Sequence, residues 1–193
     1  MNDTALRRLG RPVLLAAVTG AAACAERAPL APDRAPAASL ARTGADRRVD
    51  LGACTRLQPP EGSRLAYHAY ARGVQIYRWN GAGWSFVAPA ANLSADAGGA
   101  SSVGTHYAGP TWRSNSGGTV VGTVTERCVA DPGAIPWLLL GATPDGGPGI
   151  FHRVAYIQRV NTVGGMAPGT AGSVVGEEQR VPYTAEYYFY RAP

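Results

Sequence analysis

The chain has 193 residues, of which 25 are Gly and 15 are Pro, about a fifth of the total against roughly 12% in ordinary proteins. With 16% charged and 46% hydrophobic residues, this composition argues against a coiled coil or helical bundle and for one turn-rich globular domain. The formal charge is +5, but eight of the 18 basic residues, all of them Arg, lie in residues 1–50 against five acids, and the rest of the chain nets only +2. A nucleic-acid binder concentrates positive charge on its folded surface, where it neutralises phosphates; here most of the excess sits in the leader, so no nucleic-acid partner is expected.

Arg7, Arg8 and Arg11 precede Pro12–Ala23, a dozen apolar or small residues without charge. That is the charged region and apolar region of a secretory signal, too short for a permanent span of about 20 residues. The run ends in Ala21-Ala22-Ala23-Cys24, which resembles the bacterial lipoprotein box, in which the Cys becomes the lipidated first residue. Ala21 stands where that pattern prefers Leu, and cleavage before Cys24 without lipid is the alternative. Residues 24–48 are Ala, Pro, Arg and Asp with few large apolar side chains, so they cannot bury enough surface to offset ordering entropy. The expected organisation is a signal peptide over 1–23, a disordered tether over 24–48 and one β-rich domain over 49–193. The protein is expected to be exported and held to the membrane by lipid at Cys24, facing the periplasm or the cell exterior.

From Val49 the apolar pattern has period two, the strand signature. Leu65–Tyr70 and Val74–Trp79 read as short strands broken at Ala71-Arg72-Gly73. Asn80-Gly81-Ala82-Gly83 reads as a hairpin loop leading into Trp84–Val87. Gly118–Thr125 is a further strand, and Ile150–Val160 is expected to be the longest. Val181–Tyr190 closes the chain, with Pro182 marking an edge or a strand beginning. Alternation sends Tyr183, Tyr187 and Phe189 to one face of this last segment, and Tyr188 and Tyr190 to the other. Ile135–Leu140 fits a buried strand or a helical turn equally well. The fold class is all-β, an antiparallel sandwich or small β-barrel with few or no long helices. Setting Cys24 aside leaves Cys54 and Cys128, an even pair that reads as a disulfide in an exported protein.

Five blocks carry a family resemblance. They are Gly73–Tyr77, Gly104–Trp112 (GTHYAGPTW), Ile135–Leu140 (IPWLLL), Ile157–Gly165 (IQRVNTVGG) and Val181–Tyr190 (VPYTAEYYFY). In this order they resemble the domain of unknown function 3455 family of bacterial and fungal proteins, many of them exported. The resemblance implies no established activity and no cofactor.

The block around His106 places His106, Tyr107 and Trp112 beside a Gly-rich loop, a common way to build a pocket for a sugar or other small ligand. The structural alternative is a turn at Gly109-Pro110, with Trp112 in the core and His106 bonded locally. Arg159 offers a bidentate fork for a carboxylate or phosphate, with Asn161 beside it; alternatively it pairs with Glu186 or caps loop carbonyls. Tyr187 completes the candidate ligand-binding set. No catalytic motif is recognisable, and no metal site is expected; the alternative is a zinc or copper site built from His68, His106 and His152, which need not be sequence neighbours to be spatial ones. Two functions remain: a binding or structural module of the cell envelope, with a small-molecule or glycan ligand, or an extracytoplasmic hydrolase with His106 as acid–base and Arg159 as anion clamp.

Overall fold

Period-two alternation dominates residues 64–191 because one side of nearly every segment is apolar, and in the computed structural model these segments form eight antiparallel strands. The structure describes residues 49–193; the expected signal peptide, the tether and Cys24 lie outside the described residues. In chain order the strands are β1 (Arg64–Trp79), β2 (Trp84–Ser94), β3 (Ser102–Tyr107), β4 (Thr111–Ser114), β5 (Thr119–Cys128), β6 (Trp137–Pro144), β7 (Val154–Gly164) and β8 (Glu178–Arg191). Each pairs with its sequence neighbours, and β1 also pairs with β8, so the sheet closes into an eight-stranded up-and-down barrel. Of the two architectures expected, the barrel is the one formed.

Leu65–Tyr70 and Val74–Trp79 are not two strands but the two ends of the 16-residue β1, which passes through Gly73 without interruption. Gly73 is there for close approach: a Cβ at this position would collide with the Ala90 carbonyl and with Ala91 of β2. Ile135–Leu140 resolves as the start of a strand. Leu138 and Leu140 enter the barrel core while Leu139 joins a second cluster on the outside, so both faces of the run are buried. The strand expected from Ile150 begins only at Val154. Before it, a turn with Arg153 at φ 60° drives Phe151 into the core, 4.7 Å from Phe189.

The lumen core draws on β1, β2 and β4–β8, with Leu93, Trp112, Val120, Leu140, Ile157, Tyr187 and Phe189 among its fully buried members. Alternation along β8 is as expected: Tyr183, Tyr187 and Phe189 face the lumen, whereas Tyr188 and Tyr190 face outward. The outward pair is nevertheless buried. The segment from Val49 through the 3-10 turn Thr55–Leu57 lies over β6, β7 and β8 and covers them. Beneath it Gln158 is satisfied on both ends of its amide: its Nε2 donates to the Leu57 carbonyl at 2.6 Å and its Oε1 accepts from the Tyr190 hydroxyl at 2.7 Å. Elsewhere many outward positions are polar, as at Arg72, Asn92, Thr105, Arg113 and Thr123, with Tyr107 and Val121 among the apolar exceptions.

The Cys54–Cys128 disulfide fastens this covering segment to the end of β5, across a sequence separation of 74 and a Cα–Cα distance of 5.7 Å. Closing a loop of that length stabilises a fold by about 4 kcal/mol on the chain-entropy account. Cys54→Ser or a reductant is therefore expected to lower the unfolding free energy, read from the urea midpoint and slope, by an amount approaching that figure. An unchanged midpoint would show that the covering segment holds without its staple.

Candidate functional site

The connections β1–β2, β3–β4, β5–β6 and β7–β8 all lie at one end of the barrel, and there the lumen opens into a cavity of about 380 Å³. That is within the range of small-molecule pockets. The opposite end is closed by Phe151 packed on Phe189. Four of the expected ligand-binding residues, His106, Trp112, Arg159 and Tyr187, line this one cavity.

His106 points inward from β3 and is buried, its ring stacked on Trp112 at 4.2 Å and edge-on to Tyr187 at 5.3 Å. Its Nδ1 lies 2.9 Å from the Thr111 carbonyl. A carbonyl only accepts, so Nδ1 carries the proton and Nε2 keeps its lone pair. Burial pushes the imidazole pKa down to about 3, and the nearby Arg159 charge adds to the effect against the opposing Thr111 hydrogen bond. The expected local bonding of His106 and the turn at Gly109-Pro110 are thus present together with the cavity.

Arg159 reaches the cavity from β7. Its Nε and Nη2 donate to the Pro136 carbonyl at 3.2 and 2.8 Å, so it does cap a loop carbonyl. The β5–β6 loop is fixed for this contact by two further bonds: the Ile135 amide donates to the Gly164 carbonyl at 2.9 Å, and Thr162 Oγ1 donates to the Ile135 carbonyl at 2.6 Å. No carboxylate approaches Arg159; the ion pairs among the described residues are His68–Glu186 and Arg78–Glu178. Glu186 faces outward instead. It accepts from His68 Nε2 at 2.7 Å, Asn161 Nδ2 at 2.9 Å and the Tyr188 hydroxyl at 3.0 Å, and these bonds, that from His68 foremost, hold its pKa down to about 2.

Two expected site residues are elsewhere. Tyr107 follows His106 in β3, so strand alternation turns it to the outer surface. Asn161 lies two residues beyond Arg159, but an irregularity in the β7–β8 register between Val160 and Val163, with Asn161 at φ 50°, turns it outward to Glu186.

In their place the cavity recruits Gln75 and Tyr77 from β1, Phe86, Val87 and Pro89 from β2, and Val124 and Arg127 from β5. Gln75 and Tyr77 share the parity of Ala69 and Ala71, a signal available in the sequence once β1 is read as continuous. The Tyr77 hydroxyl donates to the Gly165 carbonyl at 2.7 Å and fastens the β7–β8 connection beside the opening. A side chain at Gly165 would press on Tyr183, Gln75 and Ile135, so glycine is required for that close approach.

The lumen also holds an unusual set of polar atoms. Gln75 Nε2, Trp112 Nε1 and the hydroxyls of Tyr183 and Tyr187 are buried without a hydrogen bond of ordinary length. The two hydroxyls lie within long hydrogen-bonding range of one another, and that of Tyr187 within the same range of Arg159. Burial raises both tyrosine pKa values, and the Arg159 charge partly opposes the rise.

A family model described as a protein of unknown function (DUF3455) matches residues 59–191, the whole strand system from β1 to β8. The chain belongs to the DUF3455 family. Searches of curated proteins and of solved structures found no match. In this DUF3455 barrel the three His are dispersed: His68 on the outer face with Glu186, His106 in the lumen, and His152 in the β6–β7 turn at the closed end. Among the described residues no group of three or more His, Cys, Asp or Glu is placed to hold a metal ion.

Because the folded DUF3455 barrel keeps His106 neutral down to about pH 3, while an unfolded chain protonates it near 6.5, its contribution to stability is complete above pH 6.5. That contribution is lost as the pH falls from 6.5 toward 3. One proton bound on unfolding corresponds to a slope of about 1.4 kcal/mol per pH unit, or roughly 2 kcal/mol between pH 6.5 and 5. Urea unfolding at the two pH values is expected to show that loss in the native protein and a smaller one in His106→Asn. Equal losses would mean that His106 titrates normally in the fold.

Proposed function

We propose that this barrel is an exported module of the cell envelope, tethered to the membrane by lipid at Cys24, that takes a small organic molecule into the open end of its lumen. The observation that carries the reading is the partly apolar cavity at the open end of the lumen, with Arg159 on its wall and Gln75 Nε2 and Trp112 Nε1 left without hydrogen bonds beside it. A buried polar group left without a partner costs about 1–3 kcal/mol, and apolar replacements of similar shape would remove the cost. Gln75 Nε2 and Trp112 Nε1 are two such groups beside the cavity, and an occupant that pairs with them would offset that cost. The Cys54–Cys128 disulfide supports an oxidising location outside the cytoplasm.

The hydrolase reading receives less support. A general acid–base works best with a pKa near the operating pH, whereas His106 is held near 3, stacked on Trp112 and committed through Nδ1 to Thr111. No carboxylate lies in the cavity lining to orient it or to act in its place.

Val124 is exposed at the opening, so Val124→Trp is expected to block entry with little effect on folding. Binding of a neutral apolar dye such as N-phenyl-1-naphthylamine should weaken about tenfold or more, the effect of losing roughly 1.4 kcal/mol of contact. Undiminished dye binding would place the ligand site elsewhere. For the anchor, Cys24→Ser is expected to move the protein from the membrane fraction to the soluble fraction; unchanged partitioning would reject lipidation.

A further inference from the structure

We infer that the ligand is an amphipathic monoanion, with a carboxylate or phosphate head group seated on Arg159 and an apolar body lying against Phe86, Val87, Val124 and Leu138. This rests on the lumen-binding reading above and adds the chemistry of the occupant. The first support is the state of Arg159. A guanidinium has five N–H groups, and those used by Arg159, on Nε and one on Nη2, both point at the Pro136 carbonyl. Three N–H groups remain; the Tyr187 hydroxyl lies beside the guanidinium, and anionic oxygens are the strongest partners those N–H groups can take. The contact with Pro136 fixes the plane of the fork before anything binds.

The second support is the sign of everything around it. The cavity lining contains two Arg, Arg159 and Arg127, and no Asp or Glu. Neither Arg is in an ion pair among the described residues. Gln75 Nε2 and Trp112 Nε1 offer N–H donors without a hydrogen bond among the described residues. A sugar presents both donors and acceptors and would call for carboxylates or carbonyls to receive its hydroxyl protons, whereas an anion calls for donors alone. A positive, poorly hydrated recess also focuses the field that draws an anion in, and Arg127 stands exposed at its rim.

The third support is the rest of the wall. Phe86 is 55% exposed, and Val87 and Val124 are each 41% exposed although they line the cavity, so the opening is itself apolar. Large side chains left in water at the rim of a pocket mark a binding surface. A ligand with an anionic head and an apolar body covers both kinds of surface at once.

Calorimetric titration of the purified protein with decanoate, decyl phosphate and decanol tests this. Decanoate or decyl phosphate is expected to bind at least about tenfold more tightly than decanol, the gain of a charge-assisted fork. Which of the two anions binds better distinguishes a carboxylate from a phosphate head group, and a preference for either supports the inference. Arg159→Gln is expected to bring the anion down to the level of the alcohol, and Arg159→Lys to keep part of the preference. The comparison within the native protein needs no variant, so a folding defect in Arg159→Gln leaves the test readable. Equal binding of decanol and both anions would overturn the anionic head group while leaving a lumen ligand in place. If none of the three binds, the lumen-binding reading falls with it.

Discussion

The structure depends on the pairing of its first strand with its last. The β1–β8 ladder runs from Arg64 opposite Arg191 to Arg78 opposite Glu178, and it alone turns a meander of neighbouring strands into a closed surface. Without it both outer strands would present unpaired backbone groups, the usual liability of an open sheet. It also asks most of the chain, since it joins segments more than a hundred residues apart and can form only after that loop has closed. Gly73 permits β1 to pair with β2 and β8 at once over its second half, because a side chain there would force β2 away.

Closure creates an inside, and eight strands enclose about as much space as side chains can fill. This barrel fills one end and not the other. At the closed end Phe151 and Phe189 pack together beside Ile157 and Val154. At the open end the inward positions are taken by Gln75, Tyr77, His106 and Arg159, the last three held in place by bonds to backbone carbonyls. The outer covering segment and its disulfide strengthen the wall on the β6–β8 side without entering the lumen, so stability and cavity are built on opposite faces of the same strands.

Much of this architecture was legible in the sequence wherever alternation involved large side chains. The two faces of β8 follow directly from five aromatics at alternate positions. The triple Leu of β6 was ambiguous for a physical reason: a strand buried on both faces has no polar phase, and here the second face is covered by a segment far away in sequence. The short strands β3 and β4 carry too few apolar residues to announce themselves. That is why Tyr107 was grouped with His106, although neighbours in a strand cannot both face the lumen. Arg159 and Asn161 have the same parity, and only the irregularity at Val160 separates them. The convergence of Arg159 with His106, Trp112 and Tyr187 was anticipated from residue type alone; the inward phase of Gln75 and Tyr77 was hidden by reading Gly73 as a break.

The proposed function requires that the open end of the lumen stay open, with Arg159 on its wall. A crystal structure of the purified protein at a resolution that shows ordered solvent tests this most directly. Ordered solvent or ligand density is expected in the recess, within hydrogen-bond distance of Arg159. A collapsed, dry lumen, or a carboxylate paired with Arg159, would contradict that.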